Sequence, residues 1–322
     1  MRRAIVSAFA VSCLAFAVSN VAQGASVLTS DEELVPTGKG WGERPSPGPG
    51  PGQGMGQGQG QPQGNGKPSR PGGSSNGIDY HGGPVMTAGA KNVYFIWYGN
   101  WAGNSATQIL PDLMSNLGGS SYFGINTTYY NASNVHVSNY VHYFGSATDA
   151  YSHGTSLSDS AIQAVVAGAI TSGSLPQDTE GVYFVLTSSD VTASSGFCTQ
   201  YCGWHTHGTI GGKDIKYSFV GNPDRCPSAC AEQTTGPNGN AGADGMASIM
   251  AHELEEAVTD PDLNAWYDRR GMENADKCAW TFGTQYTVGN GAKANMRLGA
   301  RDFLIQQNWV NASGGYCALS IK

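Results

Sequence analysis

Charge is what this 322-residue chain has least of. Asp, Glu, Lys and Arg make up 13% of it, about half the roughly 25% usual in globular proteins. The charges lean acidic, 24 Asp and Glu against 17 Lys and Arg, and no basic stripe accompanies the aromatic residues. Nucleic acid and anionic membranes are therefore not expected as partners. The sequence has no phosphate-cradling P-loop. Ser, His and Asp are so plentiful that any triad drawn from them would be arbitrary.

A membrane span is missing too. Arg2 and Arg3 precede an apolar run from Ala4 to Val18 that is shorter than the ~20 residues a span needs. Ala22-Gln23-Gly24 then offers the small residues a signal peptidase reads, so residues 1–24 are expected to be a secretory signal, the alternative being a retained anchor. Free cysteine is not expected in the exported chain. Cys13 lies inside the signal, which leaves Cys198, Cys202, Cys226, Cys230, Cys278 and Cys317. An even set in an oxidising compartment implies three disulfides among fifteen arithmetically allowed pairings. The two Cys-x-x-x-Cys pairs are alternatively a four-thiolate zinc site.

Residues 25–77 have almost nothing to bury. From Gly38 to Gly77 they are chiefly Gly, Pro and Gln, which reads as a disordered linker or a removable pro-segment. Residues 78–322 form one domain, long enough for a substantial core. Asn92–Tyr98 reads as a buried strand, Ala106–Leu117 as a helix and Val135–Phe144 as a strand or hairpin. Ser158–Ser172 reads as an amphipathic helix capped by Ser158 or Asp159, and Gly181–Ser188 and Lys216–Gly221 as two further strands. The expected fold is mixed α/β, a twisted sheet packed on helices and stabilised by disulfides.

What the sequence does have is Met250-Ala251-His252-Glu253-Leu254-Glu255-Glu256-Ala257-Val258-Thr259-Asp260-Pro261, followed by Glu273 and Asp276. Apolar residues at three- and four-residue intervals from Met246 predict a helix with Asp244 as its N-cap and Pro261 as its stop. Residues four apart share a helix face, so His252 and Glu256 can hold one cation while Glu253 sits one position round. On a wheel Glu253 falls on the apolar arc, and burying it without a partner is costly; Glu255 points away and reads as solvated. Glu273 is the expected third ligand, with Asp276, Asp260 and Asp262 as alternatives. A capped, salt-bridged helix without a metal is the competing reading. One imidazole with two carboxylates suits zinc first, and manganese, iron or calcium otherwise.

The layout resembles gluzincin metallopeptidases, whose His-Glu-x-x-His helix and more distant Glu hold zinc around a general-base Glu; here Glu256 replaces the second His. Strand, helix, strands and then this helix is also the order of a zincin-like domain. His205 and His207, at alternate positions after Cys202, can approach such a site together or serve as structural hydrogen-bonders. Asn126, Asn131 and Asn311 head sequons for N-glycosylation.

Several blocks resemble the EXORDIUM, or phosphate-induced protein, family. They are Tyr80-His81-Gly82-Gly83-Pro84-Val85, Trp97-Tyr98-Gly99-Asn100-Trp101, Cys202-Gly203-Trp204-His205 and Val220-Gly221-Asn222. Further on come Cys226-Pro227 with Cys230, Pro237-Asn238-Gly239, Asp244-Gly245-Met246, Thr259-Asp260-Pro261 and Arg301-Asp302-Phe303-Leu304. The resemblance implies a secreted, cell-wall-associated protein linked to growth, without an agreed enzymatic activity. Two functions compete. One is a zinc-dependent hydrolase of peptidase type, with His252, Glu256 and Glu273 as ligands and Glu253 as catalytic base. The other is a non-catalytic extracellular factor with a structural metal or carboxylate cluster, recognising a peptide or a cell-wall component through Trp or Tyr such as Trp266 and Tyr267. Neither predicts an oligomeric state.

Overall fold

The computed structural model describes residues 36–39 and 77–321. The expected signal, 1–24, and most of the Gly/Pro/Gln tract lie outside the described residues. No helix among the described residues is long and apolar enough to cross a membrane.

The centre is a five-stranded mixed sheet. Its strands are β1 (Lys91–Tyr98), β2 (Val141–Asp149), β3 (Gly181–Thr187), β4 (Gly203–Ile210) and β5 (Lys213–Val220), in the order β2-β1-β3-β5-β4. The strands from β2 to β5 pair in parallel, and β1 and β3 are buried almost along their whole length. That is why they read as unbroken apolar runs rather than as alternation. β4 joins antiparallel at one edge through Gly211 and Gly212, both at positive φ. This is the two-residue hairpin turn that a Gly-Gly pair permits. The expected strand Val135–Phe144 is displaced: its first half holds an isolated bridge at His136, and the true strand begins at Val141.

Three helices pack on the sheet. α1 (Ala106–Leu117) buries Ile109, Leu110, Leu113, Met114 and Leu117, the i, i+3, i+4 set of one face. α2 (Asp159–Thr171) is capped by Ser158, whose Oγ accepts from the Ala161 amide at 3.1 Å. α3 (Ala241–Thr259) carries the His252–Glu256 motif. Its N-cap is Asn240, accepting from the Ala243 amide at 3.0 Å, and not the expected Asp244. Asp244 lies in the first turn, where its carboxylate accepts from the backbone and side-chain amides of Asn238. The local patterns of the two residues are interchangeable, and the preceding loop decides which one caps.

α3 is buried on all sides. The sheet covers one flank, and the chain beyond Asp260 wraps the other. Cys278–Cys317 staples this wrap, while Cys198–Cys226 and Cys202–Cys230 tie the start of β4 to the turn before α3. Six cysteines thus form three disulfides, and none belongs to a thiolate zinc site. At Gly203 an added Cβ would lie 2.6 Å from Ile249 Cγ2 and 3.1 Å from Glu253 Oε1, so glycine is what lets α3 lie this close to β4.

The short segment 36–39 lies along the outer edge of β4. The His205 amide donates to the Gly38 carbonyl at 3.0 Å, and Lys39 pairs with Asp159. Gly38 has φ +67°, and a Cβ there would collide with the His205 carbonyl.

Candidate metal centre

Two strand-and-helix elements and one loop converge on the same point. α3 presents His252, Glu253 and Glu256, the first strand residues of β4 present His205, and the wrap beyond α3 presents Glu273 and Asp276. All six are buried. His252 Nε2 stands 3.1 Å from Glu256 Oε1, the contact expected of helix residues four apart, and 3.5 Å from Asp276 Oδ1. His205 Nε2 stands 3.1 Å from Glu273 Oε1 and 3.7 Å from Glu256 Oε2. Glu273 therefore sits with His205 rather than beside His252, where Asp276 takes its place. The Asp276 amide donates to Glu256 Oε1 at 2.9 Å and ties the wrap to the helix.

The electrostatics are those of a site short of positive charge. Among the described residues no Lys or Arg pairs with Glu256, Glu273 or Asp276. Burial, together with the charge of Asp276, pushes Glu256 up to about 7 against the opposing His252. Burial and four neighbouring carboxyl groups, Glu256 foremost, raise Glu273 well above the carboxylate range. The two imidazoles diverge. Burial, reinforced by His252, lowers His205 to about 3. Burial alone would lower His252 as well, but Glu256 and Asp276 outweigh it and hold that imidazole well above its ordinary value. Glu256 Oε2, Asp276 Oδ1 and His252 Nε2 are buried without a hydrogen-bond partner. Such atoms are costly unless something else binds them.

Other expected residues go elsewhere. Asp260 closes α3, accepting from the amides of Asn264 and Ala265 at 2.6 and 2.5 Å, and burial raises it to about 6. His207 and Asp262 join Asp214 in a second, half-exposed cluster in which Lys216 Nζ reaches Asp214 and Asp262. Glu255 is a correction. Expected in solvent, it is fully buried, and its Oε2 accepts from Asn308 Nδ2 at 2.6 Å. The C-terminal wrap covers the helix face that a wheel of one helix leaves open. Asn274 and Asn308, which surround Glu255 and its carbonyl, carried no local signal, and Asn126 beside them read only as a sequon.

Trp266 and Tyr267 are not exposed recognition residues either. Trp266 donates to the Tyr130 carbonyl and packs on Tyr80 and Tyr129; Tyr267 stacks on His81 at 3.7 Å. Asn126 is wholly buried, which excludes a glycan there in the folded chain.

Comparison with known proteins places this architecture. Residues 78–297 match the phosphate-induced protein 1 conserved region. The chain belongs to the phosphate-induced protein 1 family. Within that family it is 33% identical to Protein EXORDIUM-like 5 of Arabidopsis thaliana over 280 residues, covering 74% of this chain and 77% of the relative. It is 33% identical to Protein EXORDIUM-like 3 of the same plant over 287 residues, covering 76% and 84%. Protein PHOSPHATE-INDUCED 1 of Nicotiana tabacum is 28% identical over 240 residues, covering 64% and 72%. No solved structure matches the chain. The phosphate-induced protein 1 region takes in β4, α3, Glu273 and Asp276, so the whole cluster lies inside the matched part.

Proposed function

We propose that this chain is a secreted, zinc-dependent hydrolase of peptide bonds. The observation that carries the reading is the convergence of His252 and Glu256 from one helix with His205, Glu273 and Asp276, all buried and, among the described residues, with no Lys or Arg pairing with them. A divalent cation held there supplies Lewis-acid polarisation of a carbonyl and makes water more acidic. Glu253, between the two helical donors, takes the proton of the attacking water and returns it to the amine as the C–N bond breaks. Its carboxylate lies against Gly203 at the start of β4. An extended substrate pairs with the β4 edge through backbone hydrogen bonds, as residues 36–39 do at His205.

Residues 25–77 are then a pro-segment. Cleavage in the Gly/Pro/Gln tract frees the edge, and the three disulfides suit the oxidising space in which that happens. The test is Glu253→Gln in protein trimmed within the tract. Peptide hydrolysis should fall by about 100-fold or more, on the scale of general-base loss, with zinc content unchanged. Trimmed wild-type protein that cleaves no peptide in a diverse library, with zinc bound, would sink the catalytic role.

A further inference from the structure

We propose that the centre takes two divalent cations, bridged by the carboxylate of Glu256. It rests on the metal-dependent reading of this site and assigns it a second ion.

The buried donors divide into two sets that share one residue. His252, Glu256 and Asp276 form the first; His205, Glu256 and Glu273 form the second, each with its donor atoms within 4.8 Å of one another. Among the described residues no such set holds both imidazoles. Ligands of one ion at bond lengths near 2.1 Å stand at most about 4.3 Å apart, and adjacent ligands about 3.0–3.5 Å apart. The spacings of 3.1 and 3.5 Å around His252, and of 3.1 and 3.7 Å around His205, are close to the edges of two coordination shells.

Glu256 points one oxygen at each set, Oε1 towards His252 and Oε2 towards His205. Oε2 has no hydrogen-bond partner, and neither has Asp276 Oδ1 or His252 Nε2, although all three residues are buried. These orphaned atoms are an observation independent of the spacing.

The donor chemistry selects the ion class. One imidazole and two carboxylates per position suit zinc or manganese, and the nitrogen argues against calcium. A shared carboxylate sets the ions about 3.5–4 Å apart, the spacing of two-metal hydrolytic sites. The His207–Asp214–Asp262 group is no third position, because Lys216 already supplies its cation.

The experiment is metal analysis of the full chain after saturation with zinc and removal of free ion, joined to an electron paramagnetic resonance titration with manganese. Two zinc ions per chain are expected, one in His205→Ala, one in Asp276→Asn, and fewer than one in Glu256→Gln. The wild-type titration needs no variant: the second equivalent of manganese should convert the isolated-ion spectrum to a spin-coupled one. One ion per chain and no coupled spectrum would overturn the two-ion centre and leave the hydrolase reading standing. No bound ion at all would overturn both.

Discussion

Two clusters of imidazole and carboxylate sit two residues apart on the same strand and face opposite fates. His207 meets Asp214 and Asp262 at the half-exposed end of the β4–β5 hairpin, where Lys216 lies 2.5 Å from Asp214 and 3.4 Å from Asp262. His205 meets Glu256 and Glu273 under α3, away from solvent and, among the described residues, without Lys or Arg. The types of donor are the same. What differs is that the first cluster contains its own cation and shares the rest of its charge with water, whereas the second has neither recourse. The second cluster is the one proposed to hold metal, because among the described residues no cation balances it.

The strongest way to break this comparison is chelation. Removing metal from the wild-type protein should lower its melting temperature by ten degrees or so, since ligand at 1,000 times its Kd contributes about 4 kcal/mol. Lys216→Ala should lose as much melting temperature on chelation as wild type does, because its cluster is not the one proposed to hold metal. Calorimetry showing no chelator effect on protein that carried metal would put both clusters in one class.

Next in size is the staple beside Asp276. Replacing Cys278 and Cys317 together by Ser should cost about 3–4 kcal/mol, the range for a loop of this span. It should also weaken metal retention, because Asp276 lies two residues from the bridge. Equilibrium unfolding with parallel metal analysis checks both, and undiminished retention would separate the staple from the site.

The pH dependence of metal-free protein should differ in sign between the clusters. Glu256 is held up at about 7 from an ordinary 4.5, chiefly by burial, so the folded chain binds more protons between those values. Its contribution to stability should therefore be present below about 4.5 and lost as pH rises to about 7. Asp214 behaves oppositely. Burial would raise it, but Lys216 and His207 outweigh that and hold it below its ordinary 3.8. Its contribution is present above that pH and lost on acidification. Melting curves of the chelated Glu256→Gln and Asp214→Asn variants should each remove one of these slopes; identical profiles would show that the clusters share one electrostatic character.

The smallest effect belongs to Lys216. Truncating it to Ala should cost about 0.5–1 kcal/mol, as for a partly exposed ion pair, and leave the metal count unchanged. A gained ion in that variant would show that the lysine alone keeps metal out of the His207 cluster.

The elements with strong local patterns were legible in the sequence. Ala106–Leu117 is helical over the expected range, Ser158 caps its helix, and the two apolar runs at Asn92 and Gly181 lie side by side in the sheet. Glu253 also read correctly as buried, because its helical neighbours are apolar. Glu255 did not, because its cover comes from Asn308 and the wrap, far along the chain. The cap at Asn240 was missed for a similar reason: Asp244 has the right chemistry but the wrong distance from the helix start.

The sequence by itself determined the family, the run of strands and helices, and the six cysteines that form three bridges. It also determined that His252 and Glu256 share a face, because helical spacing is a local property of the backbone. Only the tertiary structure decided that His205 belongs with them and His207 does not, that Glu273 and Asp276 occupy different halves of the cluster, and that Glu255 is inside. Those choices depend on which segments cover which face of α3. Such covering arises from contacts between residues tens of positions apart, where no periodicity carries information.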